Sequence, residues 1–231
     1  MAKQYDAIVI GAGIGGLSAA LLMASKGKHV LILEKLNDVG GRLTSHKKDG
    51  FTIDMGVHVI SCTTKGPLGE ILRRAGEESS IEYKKIRPVS SFDGNVFIFP
   101  HDLPKFGVSE DDMEALMKCM GAIRSISDEE VSSYDDITIE DYLSRYTDDP
   151  MIHACFLNIS TIYTCLPSWK LSAGEFMRCM RAESTAKASG YPEGGCIAIS
   201  HELEDAFKAK GGEVICTSPV EKIIIEDGRA T

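Results

Sequence analysis

The glycine pattern between residues 11 and 16 limits what this chain can fold into more than any other stretch. Tyr5-Asp-Ala-Ile-Val-Ile10 leads directly into Gly11-Ala-Gly13-Ile14-Gly15-Gly16, and Leu17 to Lys26 then reads as a helix. An apolar run without room for polar side chains is the mark of a parallel strand buried on both faces. Gly11 permits a tight turn, Gly13 lets backbone approach a diphosphate, and Gly16 lets the helix lie close against the strand. The free amides at the helix start, those of Ile14 and Gly15 among them, then face the phosphates, where the helix dipole also favours negative charge. A second apolar run, His29 to Leu33, ends on Glu34, twenty-one residues past Gly13. A carboxylate there accepts hydrogen bonds from ribose hydroxyls. A glycine turn alone is a weak signal; strand, turn, helix and terminal acid in this order predict a site for an adenine dinucleotide.

Nicotinamide and flavin cofactors share the ADP half, so this fingerprint does not separate them. Glu34 would repel a ribose 2′-phosphate, which counts against NADP, although Lys35 beside it softens the point. Gly40-Gly41-Arg42 follows. Two consecutive glycines leave backbone amides open to a phosphate, and an arginine adds a charged fork for its oxygens. Glu34, five residues, then Gly-Gly-Arg resembles the flavin-containing amine oxidase and phytoene desaturase superfamily, and the resemblance implies FAD. Gly50-Phe-Thr-Ile-Asp54-Met-Gly56-Val57-His58-Val-Ile60 is similar to the family segment that passes near the isoalloxazine ring. That implies contacts from Gly56 and Val57, and makes His58 a candidate for proton transfer or flavin polarity. The plainer reading of His58 is a histidine hydrogen-bonded to nearby backbone. Late in the chain, the loop Gly190 to Gly195, a helix from Ile197 to Lys210 stopped by Gly211-Gly212, and strands at Glu213–Cys216 and Val220–Ile225 resemble the family's closing elements. A family residue at the place of Val220 contacts the adenine through its backbone. The matched stretches cover roughly the first 65 and last 40 residues.

The predicted architecture is α/β: a Rossmann-like FAD/NAD(P)-binding domain from residues 1–64 and 193–231, with an inserted α+β substrate domain at 65–192. Within the insertion, Pro67 to Ala75 reads as a helix stopped by Gly76. Ile86 to Phe99 reads as a hairpin turning at Phe92-Asp93-Gly94-Asn95. Ser109 caps a helix to about Ile126, Ser127 to Asp136 is expected to be a solvated connection, and Thr138 with Asp141 starts a helix running to Tyr146. Pro150 to Trp169 contains no Asp, Glu, Lys or Arg, but too many polar residues for a membrane span. It reads as a core helix or, by family analogy, as the wall of a greasy tunnel or membrane-facing mouth.

A net charge of −9 disfavours nucleic acid as a partner, because phosphate neutralisation needs clustered Lys and Arg. Seven dispersed cysteines without a CxxC pair read as reduced thiols in a cytoplasmic protein, with no metal site. Met1-Ala-Lys-Gln4 leaves little room for a targeting segment before the first strand. By resemblance, the expected function is an FAD-dependent desaturase or dehydrogenase that moves a hydride from a lipophilic, isoprenoid or carotenoid-like substrate to flavin N5. The alternatives are an amine oxidase or protoporphyrinogen-oxidase-like enzyme, and a non-catalytic nucleotide-binding module. Family members are usually longer, and the chain stops after the turn cue at Asp227-Gly228 with the returning strand expected to be absent. A second chain supplying a C-terminal segment is therefore a further expectation, and peripheral membrane contact is another, from the Pro150 to Trp169 stretch and family analogy.

Overall fold

The computed structural model describes residues 4–57, 59–86 and 88–230. The chain separates into two compact units, residues 1–86 with 188–231, and residues 87–187. The stretch from 65 to 86, expected in the insertion, lies with the first unit.

A parallel sheet organises the first unit. β1 (Ala7–Ile10) pairs with β2 (Val30–Leu33) in the register Ala7↔Val30 to Ile10↔Leu33. Between them runs α1 (Ile14–Ala24). Next comes the hairpin β3 (Ser45–Lys48) and β4 (Phe51–Asp54), then α2 (Pro67–Arg74) and β5 (Tyr83–Lys85). Proline at the start of α2 suits its first turn, and Gly76 at φ +77° ends it as expected.

The second unit opens with the hairpin β6 (Ser90–Phe92) and β7 (Asn95–Phe97), which turns at Asp93-Gly94 with positive φ at both residues. Among the described residues five α-helices follow: α3 (Glu110–Ser125), α4 (Asp128–Val131), α5 (Ile139–Leu143), α6 (Pro150–Thr164) and α7 (Ala173–Ala186). Each starts beneath a side-chain cap: Ser109, Ser127, Thr138, Asp149 and Ser172 respectively. The acidic run expected to be a connection holds α4 instead. Ser127 and Glu130 close a reciprocal capping box, and Val131 is buried. The uncharged run from Pro150 divides: Ile152, Cys155 and Phe156 enter the core with Phe176 and Met177, whereas Ile162, Tyr163, Leu166 and Trp169 are exposed.

The chain returns to the first unit through β8 (Gly190–Pro192), which pairs antiparallel with β5. α8 (Ile197–Ala209) leads into β9 (Glu213–Ile215), the third parallel strand, beside β2. The sheet order is β1-β2-β9, with β1 at an edge. Ala7, Val9, Val30, Ile32 and Val214 pack one face of the sheet against Leu17 and Leu21 of α1 and Leu203 and Phe207 of α8. Ile8 and Ile10, which alternate with them, are 56% and 52% exposed. Burial of β1 on both faces, expected from its composition, is therefore not seen. The strand expected at Val220–Ile225 shrinks to β10 (Ile225–Glu226), and a short returning strand, β11 (Arg229–Ala230), does pair with it. Among the described residues, 216–224 have no ladder partner, so their apolar composition does not make a strand. Among the described residues no helix is long and apolar enough to cross a membrane.

Candidate dinucleotide site

The turn between β1 and α1 is shaped by two glycines with different duties. Gly11 holds φ +95°, a left-handed conformation that side-chain residues avoid. A Cβ on Gly16 would collide with the Gly11 carbonyl oxygen and reach 3.3 Å from the Val9 side chain, so only glycine lets α1 sit this close to β1. Gly13 is the N-cap of α1 and provides no side-chain cap, and no acid stands in the first turn. The first amides of a helix have no intrahelical acceptor. A Cβ on Gly13 or Gly15 would meet nothing within 4 Å, so the helix start is flanked by open space.

A second loop is laid over the first. The Gly40 amide donates to the Ala12 carbonyl at 2.8 Å, and a Cβ on Gly41 would come within 3.3 Å of the Gly13 Cα. The two glycine motifs, about thirty residues apart in sequence, form one backbone surface. Arg42 follows on the exposed side, and Lys35 is also exposed.

Glu34, only 5% exposed, ends β2 beneath this surface. Its Oε2 accepts the Ala12 amide at 2.7 Å, and its Oε1 accepts the Leu36 amide at 2.9 Å. The carboxylate thus braces the glycine turn, a duty that sequence spacing did not reveal. A carboxylate accepts about four hydrogen bonds, so each oxygen retains a lone pair for a hydroxyl. The Ser218 amide donates to the Glu34 carbonyl and the Thr217 amide to that of Leu36, which carries the 216–218 segment past the acid. Val220, two residues on, is half-buried in irregular chain.

On the other side of Arg42, a Cβ on Gly56 would lie 3.0 Å from the Arg42 carbonyl, so the two backbone stretches pack closely there. Val57 is exposed, and its carbonyl accepts the Cys196 thiol at 2.9 Å. His58 lies outside the described residues.

Asp54 was passed over in the sequence. Its Oδ1 accepts the Ser45 hydroxyl at 2.5 Å and the Cys196 amide at 2.9 Å, and Tyr191 adds a side-chain hydrogen bond. The Ser45 hydroxyl oxygen in turn accepts the Ile197 amide at 3.1 Å. The β3–β4 hairpin therefore supplies the cap that α8 lacks in its own sequence. Burial pushes the Asp54 carboxyl up, but the hydrogen bonds from Ser45, the Cys196 amide and Tyr191 outweigh it and hold the group below its ordinary 3.8. Burial, and then Asp54 nearby, push the Cys196 thiol to about 12. Tyr191 also rises to about 12, through burial and its bond to Asp54. Neither is poised to ionise near neutrality. One turn further along α8, Ser200 donates to the Leu43 carbonyl at 2.9 Å, and His201 Nε2 lies 3.1 Å from Asp38. No local pattern announces the contacts with α8, because each joins residues more than a hundred positions apart.

Residues 9–75 match a model of the NAD(P)-binding Rossmann-like domain. The chain is 29% identical to prolycopene isomerase 2, chloroplastic, from an Oncidium hybrid cultivar, over 99% of its own length and 45% of the isomerase. Over 52 residues, 22% of this chain and 10% of the relative, it is 58% identical to a 4,4′-diapophytoene desaturase from Staphylococcus aureus (strain Newman). An oxidoreductase structure from Methanosarcina mazei superposes with a TM-score of 0.80 at 24% identity, covering 97% of this chain and 54% of that one. That likeness speaks for the fold. The chain spans about half the length of the relatives it matches along its whole length. With its glycine turn, terminal acid and overlaid Gly-Gly-Arg loop, the chain carries a Rossmann-like dinucleotide-binding domain and is similar along its length to a prolycopene isomerase and, over a shorter stretch, to a 4,4′-diapophytoene desaturase.

Proposed function

We propose that this chain is the cofactor-binding part of an FAD-dependent oxidoreductase, a desaturase or dehydrogenase acting on a lipophilic, isoprenoid-like substrate. One observation carries the reading: the open, uncapped start of α1, with the Gly40–Gly41 loop laid across Gly13. Such a surface of unsatisfied amides at the positive end of a helix dipole suits a diphosphate. The residues present fit FAD in this way. Amides of Gly13, Ile14, Gly15 and Gly16 would face the diphosphate, joined by the Gly41 amide and the Arg42 guanidinium, while the Gly40 amide, held by the Ala12 carbonyl, keeps the second loop in place. The spare lone pairs of Glu34 would receive ribose hydroxyls, and by family resemblance the backbone near Val220 would meet the adenine. The chemistry FAD supplies when bound is acceptance of a hydride at flavin N5 from a substrate carbon. For that chemistry this chain orients the coenzyme and shields it from water; no described side chain is needed as acid or base.

For the substrate, Phe51, Ile53, Met55, Val57 and Val59 alternate along β4 and beyond, and all five are exposed. Such a stripe suits an apolar ligand better than a charged one. The names of the isomerase and desaturase relatives, prolycopene and 4,4′-diapophytoene, agree with it. In the second unit, exposed Ile162, Tyr163, Leu166 and Trp169 support peripheral contact with lipid. The open edge of β1, with Ile8 and Ile10, is the surface that further polypeptide, including a second chain, would cover.

The test is spectral. Purified protein, or protein given FAD and then desalted, is expected to absorb near ~450 nm and to bleach on reduction, as flavins do. A colourless protein that takes up no added FAD overturns the proposal.

A further inference from the structure

Building on the FAD reading, we infer that Asp54 is a positioning residue for the half of the dinucleotide that lies beyond the diphosphate. A chain of backbone contacts leads there. Glu34 holds Ala12, Gly41 lies on Gly13, Arg42 follows, and Gly56 packs against the Arg42 carbonyl. Glu34 stands at one end of this series, and the Met55–Val57 segment stands at the other. What fixes the far end is the cluster around Asp54. The Met55 amide reaches the Thr44 carbonyl at 3.1 Å, and Val57 is tied to Cys196. Asp54 then clamps both to the start of α8 through Ser45 and the Cys196 amide.

The packing leaves little slack. A Cβ on Gly195 would lie 2.6 Å from Thr52 Cγ2, 2.7 Å from Ser45 Oγ and 3.2 Å from Asp54 Oδ1. The loop before α8 is therefore pressed directly onto the hairpin, and the carboxylate is the acceptor that satisfies the amide brought in with it. Releasing that acceptor frees residues 55–57 relative to Arg42. It leaves the bond between Glu34 and Ala12 intact, because neither residue touches the cluster.

The separation gives a specific expectation. ADP uses only the Glu34 end and the glycine surface, whereas FAD also needs the far end. In Asp54→Asn, affinity for FAD should fall about tenfold or more, while affinity for ADP stays within about twofold, since losing one charged hydrogen bond costs about one such factor. The measurement is paired calorimetric titration of the full chain with FAD and with ADP, alongside the absorption band of bound flavin. Ser45→Ala, which keeps the carboxylate but removes one of its donors, should weaken FAD in the same direction by a smaller factor, and it carries the test if Asp54→Asn does not fold. Equal losses for the two ligands, or no loss for either, overturn the inference while leaving the FAD reading in place. Wild-type protein that binds neither ligand overturns both.

Discussion

Two glycines three residues apart are expected to fail in opposite ways when a methyl group is added. At Gly13 the methyl enters open space, and φ −70° suits alanine. Gly13→Ala should therefore melt like the wild type yet lose FAD affinity by about tenfold or more, because the methyl occupies the phosphate position. At Gly16 the methyl meets the Gly11 carbonyl oxygen. Gly16→Ala should cost about 1–3 kcal/mol of stability through overpacking, seen as an earlier denaturant midpoint. Loss of stability in the first and not the second would contradict the assignment of both. Asp54 adds a pH dependence whose sign follows from its lowered carboxyl pKa. Its contribution is complete above the unfolded value of 3.8 and is lost as pH falls through the lower folded value. Asp54 should thus leave stability unchanged from about pH 5 to 8, and the wild type minus Asp54→Asn difference should shrink only in strong acid. A difference that disappears near neutrality would show that another group is titrating.

At the scale of elements, α6 offers the plainest test of how the second unit is held. Asp149 Oδ1 accepts the amides of Met151 and Ile152, both at 3.0 Å, and Ile152 is fully buried. Asp149→Ala should cost about 1 kcal/mol, read by denaturant unfolding, and leave FAD binding unchanged. The elements legible in the sequence were those that carry their own boundaries. Gly11 and Gly13 bracket the turn before α1, Ser109 and Thr138 cap α3 and α5, and Asp93-Gly94 turns the β6–β7 hairpin. Elements defined by distant partners were hidden or misread. β5 and β8 pair across more than a hundred residues, and neither has a composition that announces a strand. Residues 220–225 have that composition but mostly lack a ladder partner. α4 was masked by its own charge, since the acids that suggested a solvated link are those that favour a helix N-terminus. The site divides the same way: its glycines were visible, whereas the brace from Glu34 to Ala12 and the cluster at Asp54 depend on the fold.

Across the whole molecule, the largest core cluster of each unit answers to a different part of the sequence. The first unit joins stretches from both ends of the chain around the sheet, and the second closes on its own helices. Exposed apolar residues mark each of them, and the single tryptophan reports directly on one such patch. If the Ile162–Trp169 patch meets lipid, Trp169 emission should shift to the blue on adding phosphatidylcholine vesicles, and Trp169→Ala should reduce the co-sedimenting fraction. An unchanged spectrum would remove membrane contact from the account. The claim on which the rest depends is that the backbone at the mouth of the β1–α1 turn grips a coenzyme diphosphate, and amide NMR of the labelled chain titrated with FAD reads that backbone directly. The account predicts the largest shifts at Gly13, Ile14, Gly15, Gly16 and Gly41. Shifts centred elsewhere, with these amides unmoved at saturation, would contradict it.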